Sequence, residues 1–145
     1  MTTLQHTSKP NLKVVPDTSF YVAAALNPRG YAHTYLVGKG SAFLSYRLYT
    51  SEAILLEVQE KLEQFFGTDR NRIFAMLRQI REVATVVYPT RKVEAVRDHD
   101  DDKILECTVE AGAEVVVSFD KDLLDMKEYN AIKIIHPSQL QYLFS

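Results

Sequence analysis

The chain has 145 residues and a mass of 16.6 kDa, which is the size of one ordinary domain. Hydrophobic residues make up 46% of the sequence and charged residues 25%, a balance that excludes global disorder. The net charge of −2 excludes a polycation that holds nucleic acid by bulk charge alone. The single cysteine, Cys107, excludes an internal disulfide and a zinc knuckle.

The sequence gives no sign of a membrane segment. No stretch approaches the ~18 apolar residues of a membrane span, and residues 1–13 lack the apolar segment of a signal peptide. We therefore expect a cytoplasmic protein with no membrane contact. Residues 1–11 are polar and are expected to form a flexible tail, with residues 12–145 forming a single domain.

Short β-branched runs alternate with segments of helical period along the chain. In chain order the pattern predicts strand 12–16, helix 20–26, helix 31–37, strand 42–49, helix 51–66, helix 71–82, strand 83–88, helix 101–111, strand 114–118, a short helical turn after 122, strand 131–135 and helix 138–144. Ser51 offers an N-terminal cap, and Gly67 and Gly112 are typical helix stops. This alternation predicts an α/β fold with a mostly parallel sheet covered on both faces.

Two aspartates directly follow predicted strands. Asp17 comes after strand 12–16, and Asp120 comes after strand 114–118 and Phe119. Ligands of open α/β sheets bind outside the carboxyl ends of the strands. Taken singly, an aspartate at such a position is more often a helix cap or a loop residue than a ligand-binding residue. If the two strands are neighbours, however, both side chains are expected to face one crevice.

Asp101 lies at the start of a predicted helix with an apolar stripe. At about 100° per residue it shares a face with Ile104 and Leu105, whereas Asp100 and Asp102 are expected to point roughly 100° to either side. Acids in a first helical turn are also favoured by the helix dipole. The helix dipole explains a run of aspartates, but it does not explain why one aspartate faces the core. Because an unpaired buried carboxylate is costly, we expect Asp101 to have a partner.

Glu57 borders the apolar stripe of helix 51–66, where the simplest interpretation is an exposed pair with Lys61 at i+4. The chain thus has four acids at the edges of core elements: Asp17, Glu57, Asp101 and Asp120. Clustered carboxylates repel one another unless cations neutralise them. Oxygen ligands without convergent His or Cys favour Mg²⁺ or Mn²⁺, and such a site suits phosphodiester hydrolysis.

Four short motifs carry a family resemblance. They are Asp17-Thr18-Ser19 after the first strand, Ser51 with Glu57 on the long helix, Asp98-His99-Asp100-Asp101-Asp102-Lys103, and Ser118-Phe119-Asp120-Lys121-Asp122-Leu123. In this order and spacing the sequence resembles PIN domains, most closely the branch of toxins from toxin–antitoxin pairs. The resemblance covers residues 12–144, and Asp101 stands eleven residues before Gly112, as in the family pattern.

The resemblance implies a three-layer α/β/α fold with a central, mostly parallel sheet of 4–5 strands. It also implies an endoribonuclease that depends on Mg²⁺ or Mn²⁺ and acts as the toxin of a type II pair. The partners implied are an RNA substrate, an antitoxin protein and a second copy of the chain in a homodimer. The catalytic residues implied by position are Asp17, Glu57, Asp101 and Asp120, with Asp17, Asp101 and Asp120 holding the metal, Glu57 holding the attacking water or completing the coordination, and Ser19, Ser118 and Asp122 in support.

Two other functions are considered. One is a PIN-fold binding or dimerisation module with a weak active site; the presence of all four acids argues against it. The other is a phospho-accepting receiver domain, which needs an acid pair after the first strand, whereas only Asp17 follows it here.

Contacts to the RNA backbone and bases would need cations and aromatic rings. The candidate cations, each also explicable as a surface charge, are Arg29, Lys39, Arg47, Arg91, Lys92 and Arg97. Candidate stacking aromatics, which core packing or a subunit contact would explain as well, are Tyr31, Tyr35, Tyr46 and Tyr49.

Overall fold

The computed structural model describes residues 12–37, 46–93 and 99–144. The predicted tail, residues 1–11, lies outside these ranges, as do the first four residues of predicted strand 42–49 and the candidate cations Lys39 and Arg97. The division into a tail and a single domain from residue 12 to 145 stays a prediction.

The described elements form a six-stranded, mostly parallel sheet. Its strands are β1 (Leu12–Pro16), β2 (Tyr46–Ser51), β3 (Ala84–Val87), β4 (Val115–Val117), β5 (Glu128–Tyr129) and β6 (Ile132–Ile135), in the spatial order β3-β2-β1-β4-β6-β5. Every pairing is parallel except that of β5 with β6. All three residues of β4 are buried, and because successive side chains point to opposite faces, both faces of this strand are covered.

The sheet has one strand more than the 4–5 predicted. The additional strand is β5, which is only two residues long and pairs antiparallel with β6. The turn between them uses Asn130 and Ala131, both with positive φ, at 47° and 71°; such values are typical of a tight two-residue hairpin. A two-residue strand shows no alternation in the sequence, so hydrophobic patterning could not reveal it.

The helices cover the sheet and match the predicted segments closely. They are α1 (Thr18–Leu26), α2 (Tyr31–Val37), α3 (Glu52–Phe66), α4 (Arg70–Val83), α5 (His99–Ala111), α6 (Lys121–Met126) and α7 (Pro137–Leu140), followed by a 3₁₀ turn at Gln141–Phe144. Helices α1, α2, α3 and α4 pack on one another, and α5 packs across β1, β2, β3 and β4. The predicted α/β fold with helices flanking a mostly parallel sheet is confirmed.

Local signals place the ends of these helices. The side chain of Ser51 accepts a hydrogen bond from the Ile54 N–H at 3.3 Å and so caps α3. Gly67 ends α3 with a φ of +58°, a conformation that a side chain disfavours. Predicted helix 138–144 is instead the short α7 followed by the 3₁₀ turn. Within the described ranges, no helix combines the length and apolarity needed to cross a bilayer.

Candidate active site

The structure brings the four acids to one cavity of about 540 Å³. They come from four parts of the chain: Asp17 follows β1, Glu57 lies on α3, Asp101 on α5, and Asp120 follows β4. Strands β1 and β4 are hydrogen-bonded neighbours, so the segments that follow them meet at the same edge of the sheet. The condition under which Asp17 and Asp120 would share a crevice is therefore met.

Asp17 is both a helix cap and a buried carboxylate. Only 4% of its surface is exposed. Its Oδ1 accepts hydrogen bonds from the Phe20 N–H at 3.1 Å and the Ser19 hydroxyl at 2.6 Å, and its Oδ2 accepts one from the Ser118 hydroxyl at 2.6 Å. Burial raises the pKa of Asp17 to about 6, the hydrogen bonds oppose that shift, and the charge of Asp120 adds to it.

Ser19 and Ser118 connect the two segments that carry Asp17 and Asp120. The Ser118 hydroxyl donates to Asp17 and accepts from the Asp120 N–H at 2.8 Å. The Ser19 hydroxyl donates to Asp17 and accepts from the Phe119 N–H at 2.9 Å. Each serine therefore uses donor and acceptor together, and short hydroxyl side chains at both positions hold the β4–α6 segment against the start of α1.

Glu57 is held by two side chains whose contacts with it cannot be read from the sequence pattern. Its Oε1 accepts a hydrogen bond from the Thr18 hydroxyl at 2.5 Å. Its Oε2 lies 3.5 Å from the Nζ of Lys103, and both side chains are mostly buried, at 18% and 24% exposed. The ion pair thus joins α3 to α5, whereas the expected pair with Lys61 on the same helix is not among the described ion pairs, although Lys61 lines the cavity.

Asp101 lines the cavity together with Ile104, as the helical wheel indicates. Asp102 does not line this cavity, in keeping with the expected different direction, but it is only 6% exposed and so more buried than Asp101. Helix α5 packs across four strands, and its buried face is therefore wider than one apolar stripe. An isolated sequence pattern gives the direction of a side chain, but not how far the neighbouring elements extend around the helix.

Asp120 caps α6 by accepting a hydrogen bond from the Asp122 N–H at 3.0 Å. Asp122 itself is exposed and is not among the residues that line the cavity. The structure therefore places Asp122 beside the candidate site, where its described contact with Asp120 is made by the backbone.

The candidate basic residues that the structure describes do not line this cavity. Among those that the structure describes, Arg29, Arg47, Arg91 and Lys92 are exposed and none of them lines it. The cations near the acids are instead Lys61 and Lys103. The sequence signal for Lys103 is its position directly after the acidic run at Asp98–Asp102.

The tyrosines considered for base stacking do not line the cavity either. Tyr35 and Tyr46 are core residues, each 7% exposed, and their rings pack edge to face. Tyr31 is 49% exposed and Tyr49 is half-buried. Core packing therefore explains Tyr35 and Tyr46.

The donor set suits a hard divalent cation, since the acids of the cavity offer carboxylate oxygens. Burial and the charge of Asp120 both disfavour the ionised form of Asp17, and a cation beside them would favour it. In the part of the chain that the structure describes, no three His, Cys, Asp or Glu side chains already converge on one point. The side chains are of the type that binds a divalent metal ion. A bound cation would have to draw their carboxylates closer together.

Comparisons with known proteins agree with this architecture. The model of the PIN domain matches residues 13–122. The uncharacterized protein MJ1680 of Methanocaldococcus jannaschii is 28% identical over an alignment of 134 residues, with coverage of 88% of this chain and 83% of that protein. The fold is similar to the crystal structure of VapC20 from Mycobacterium tuberculosis, described as a toxin that cleaves the sarcin-ricin loop, with a TM-score of 0.57, 20% identity, and coverage of 83% of this chain and 98% of that one. Because the family model spans most of the sequence, the chain belongs to the PIN domain family.

Proposed function

We propose that this protein is a metal-dependent endoribonuclease that hydrolyses RNA phosphodiesters and acts as the toxin of a type II toxin–antitoxin pair. One observation carries the proposal: four carboxylates from separate elements line one cavity at the carboxyl ends of β1 and β4. Maintaining several negative charges in a partly buried site is unfavourable, and a cation that binds there offsets this cost.

Asp17, Asp101 and Asp120 are the residues that would hold one or two Mg²⁺ or Mn²⁺ ions. Such an ion, when bound, polarises a phosphoryl oxygen and lowers the pKa of water. Glu57 accepts a hydrogen bond from the attacking water and so aims it at phosphorus. Thr18 and Lys103 restrict where the Glu57 carboxylate can lie, because they contact its two oxygens.

Membership of the PIN family supports nuclease activity, and the similarity in fold to VapC20 supports RNA as the substrate. That similarity also supports an antitoxin as partner. A homodimer is part of the proposal because α3 and α4 present exposed apolar side chains, including Leu56 and Phe65 on α3 and Phe74 on α4.

The second candidate function is a PIN-fold binding or dimerisation module with little catalysis. The same exposed apolar side chains favour it. It differs from the nuclease in one measurable respect, since a binding module needs no divalent ion for its contacts. The receiver-domain alternative is wrong, because the chain belongs to the PIN family.

The test is cleavage of labelled single-stranded RNA with Mn²⁺, with Mg²⁺ and with EDTA. Asp101→Asn removes one charge from the cavity, and we expect it to abolish cleavage without unfolding the protein. Asp125→Asn is the matched control, since Asp125 is exposed on α6 and pairs with Lys121. Cleavage by Asp101→Asn at the wild-type rate would contradict the site, and a folded protein that neither binds Mn²⁺ nor cleaves RNA would support the binding module.

A further inference from the structure

An aromatic side chain at the rim of the acidic cavity has no role in the site described so far. Phe119 directly precedes Asp120, lines the cavity and is 37% exposed. Among the described residues that form the cavity wall, Phe119 alone is aromatic. A large apolar side chain that is partly open to solvent beside four carboxylates leaves apolar surface that a ligand in the cavity can cover.

Phe119 is held once at its backbone and once at its ring. Its backbone N–H donates to the Ser19 hydroxyl at 2.9 Å. Its ring packs edge to face on His136, with centroids 5.0 Å apart and an angle of 88° between the planes. The His136 ring is itself fixed, because its Nδ1 accepts from the Ser138 N–H at 3.0 Å. Phe119 therefore keeps its orientation before any ligand arrives, which lowers the entropy cost of binding.

Part of the remaining cavity wall is also apolar. Helix α1 contributes Val22, Ala23 and Leu26, which fall on one face by their spacing of one and three residues. The cavity thus combines acids, which suit a cation that could in turn hold a phosphate, with an aromatic ring and an aliphatic surface. This combination matches a nucleotide, whose phosphate is charged and whose base presents a flat face.

We propose that Phe119 is the stacking platform for an unpaired nucleobase next to the phosphate that is cleaved. The inference rests on the proposed nuclease function and adds a determinant of substrate class. A base inside a duplex already stacks on its neighbours and cannot offer its face to a side chain at the rim. Because every base has a π face, Phe119 selects unpaired nucleotides without selecting base identity.

Three substitutions test the stacking surface. Phe119→Ala removes it, and Phe119→Leu keeps an apolar side chain without a π face. We expect both to lower kcat/KM on single-stranded RNA on the order of tenfold, mainly through KM, as losing one stacked base does. Phe119→Trp keeps the stacking surface and should retain wild-type activity. Tyr142→Ala is the control, since Tyr142 is 70% exposed in the 3₁₀ turn and does not line the cavity.

Two further measurements separate stacking from a structural role. The chain has no tryptophan, so the fluorescence of Phe119→Trp reports on this position alone and should be quenched by single-stranded RNA but not by a duplex. In a second series, one abasic site is moved along the RNA. At the stacked position its effect and that of Phe119→Ala should not add, because both remove the same contact.

The outcomes distinguish this proposal from the one on which it rests. If the wild type cleaves RNA and Phe119→Leu is as active as wild type, stacking by Phe119 is overturned while the nuclease stands. Full additivity at every abasic position overturns it as well. If the wild type neither binds nor cleaves RNA with Mn²⁺, the nuclease fails and this inference fails with it.

Discussion

The Thr18 hydroxyl donates a 2.5 Å hydrogen bond to Oε1 of Glu57, joining the first turn of α1 to α3. The other oxygen of Glu57 faces the ammonium group of Lys103 on α5. One carboxylate therefore links three helices around the cavity. Because Oε2 of Glu57 already faces a positive charge that a metal ion would repel, we propose that Glu57 orients water and does not bind the metal directly.

Thr18→Val keeps the shape of the side chain but removes the hydroxyl. We expect a loss of about 1–2 kcal/mol in the free energy of unfolding, since a carboxylate in a mostly buried position loses a donor. Cleavage should fall roughly tenfold because the position of Glu57 is less restricted. Urea denaturation and RNA cleavage measure the two effects. Thr18→Ser retains the hydroxyl and should stay close to wild type; an equal loss in both variants would contradict the role of the hydrogen bond.

Lys103→Met removes a positive charge beside the acids and keeps the length of the side chain. We expect Mn²⁺ to bind several-fold more tightly to this variant, because the cation no longer meets a like charge nearby. Calorimetric titration at low and high salt checks the effect, which should shrink as screening increases. Lys121→Met is the control, since Lys121 is 84% exposed on α6 and pairs with Asp125. Weaker binding of Mn²⁺ to Lys103→Met would show that the lysine supports the metal site instead.

Asp17 makes the metal-free protein sensitive to pH. Its pKa rises from 3.8 to about 6 on folding, so the native state binds this proton more tightly than the unfolded state. The favourable contribution is therefore fully present below pH 3.8 and is lost as the pH rises through about 6. A shift of this size corresponds to roughly 3 kcal/mol.

Asp17→Asn isolates this effect because the amide does not titrate. In EDTA, the free energy of unfolding of the variant relative to wild type should increase between pH 4 and 6 and then level off. Urea denaturation across that range measures the difference in stability. If the variant also loses a hydrogen bond, that constant loss shifts the plot of this difference against pH without changing its slope. Saturating Mn²⁺ should flatten the wild-type curve. A relative stability independent of pH in EDTA would contradict the raised pKa of Asp17.

The structural features that could be predicted from the sequence are those whose signals lie within a few consecutive residues. Ser51 as a cap, Gly67 as a stop and the apolar run at β4 are signals contained within a few residues, and each prediction is confirmed. The four acids could be found because each has a local marker, namely a strand end or an apolar stripe. The convergence of Asp17 and Asp120 depends on β1 and β4 being neighbours in the sheet, which these local markers do not indicate.

The remaining features depend on contacts between distant segments. The pair of Glu57 with Lys103 joins helices separated by the whole of α4 and β3. The burial of Asp102 depends on the strands that pack beneath α5. The exposure of Phe119 depends on which residues pack around the segment that follows β4. None of these relationships has a periodic or local signature, so they appear only once the chain is folded.

The Ser118 hydroxyl reaches Asp17 across 101 positions of sequence, and the Asp17 N–H donates to the carbonyl of Val117 beside it. The cavity therefore joins the first described strand to residues that lie about a hundred positions later in the chain. During synthesis, a nascent polypeptide that ends before Ser118 has Asp17 with its local partners Ser19 and Phe20, but without Ser118 and Asp120 beside it. The acidic cavity can therefore be completed only after most of the chain has been made, and fragments that stop earlier lack it.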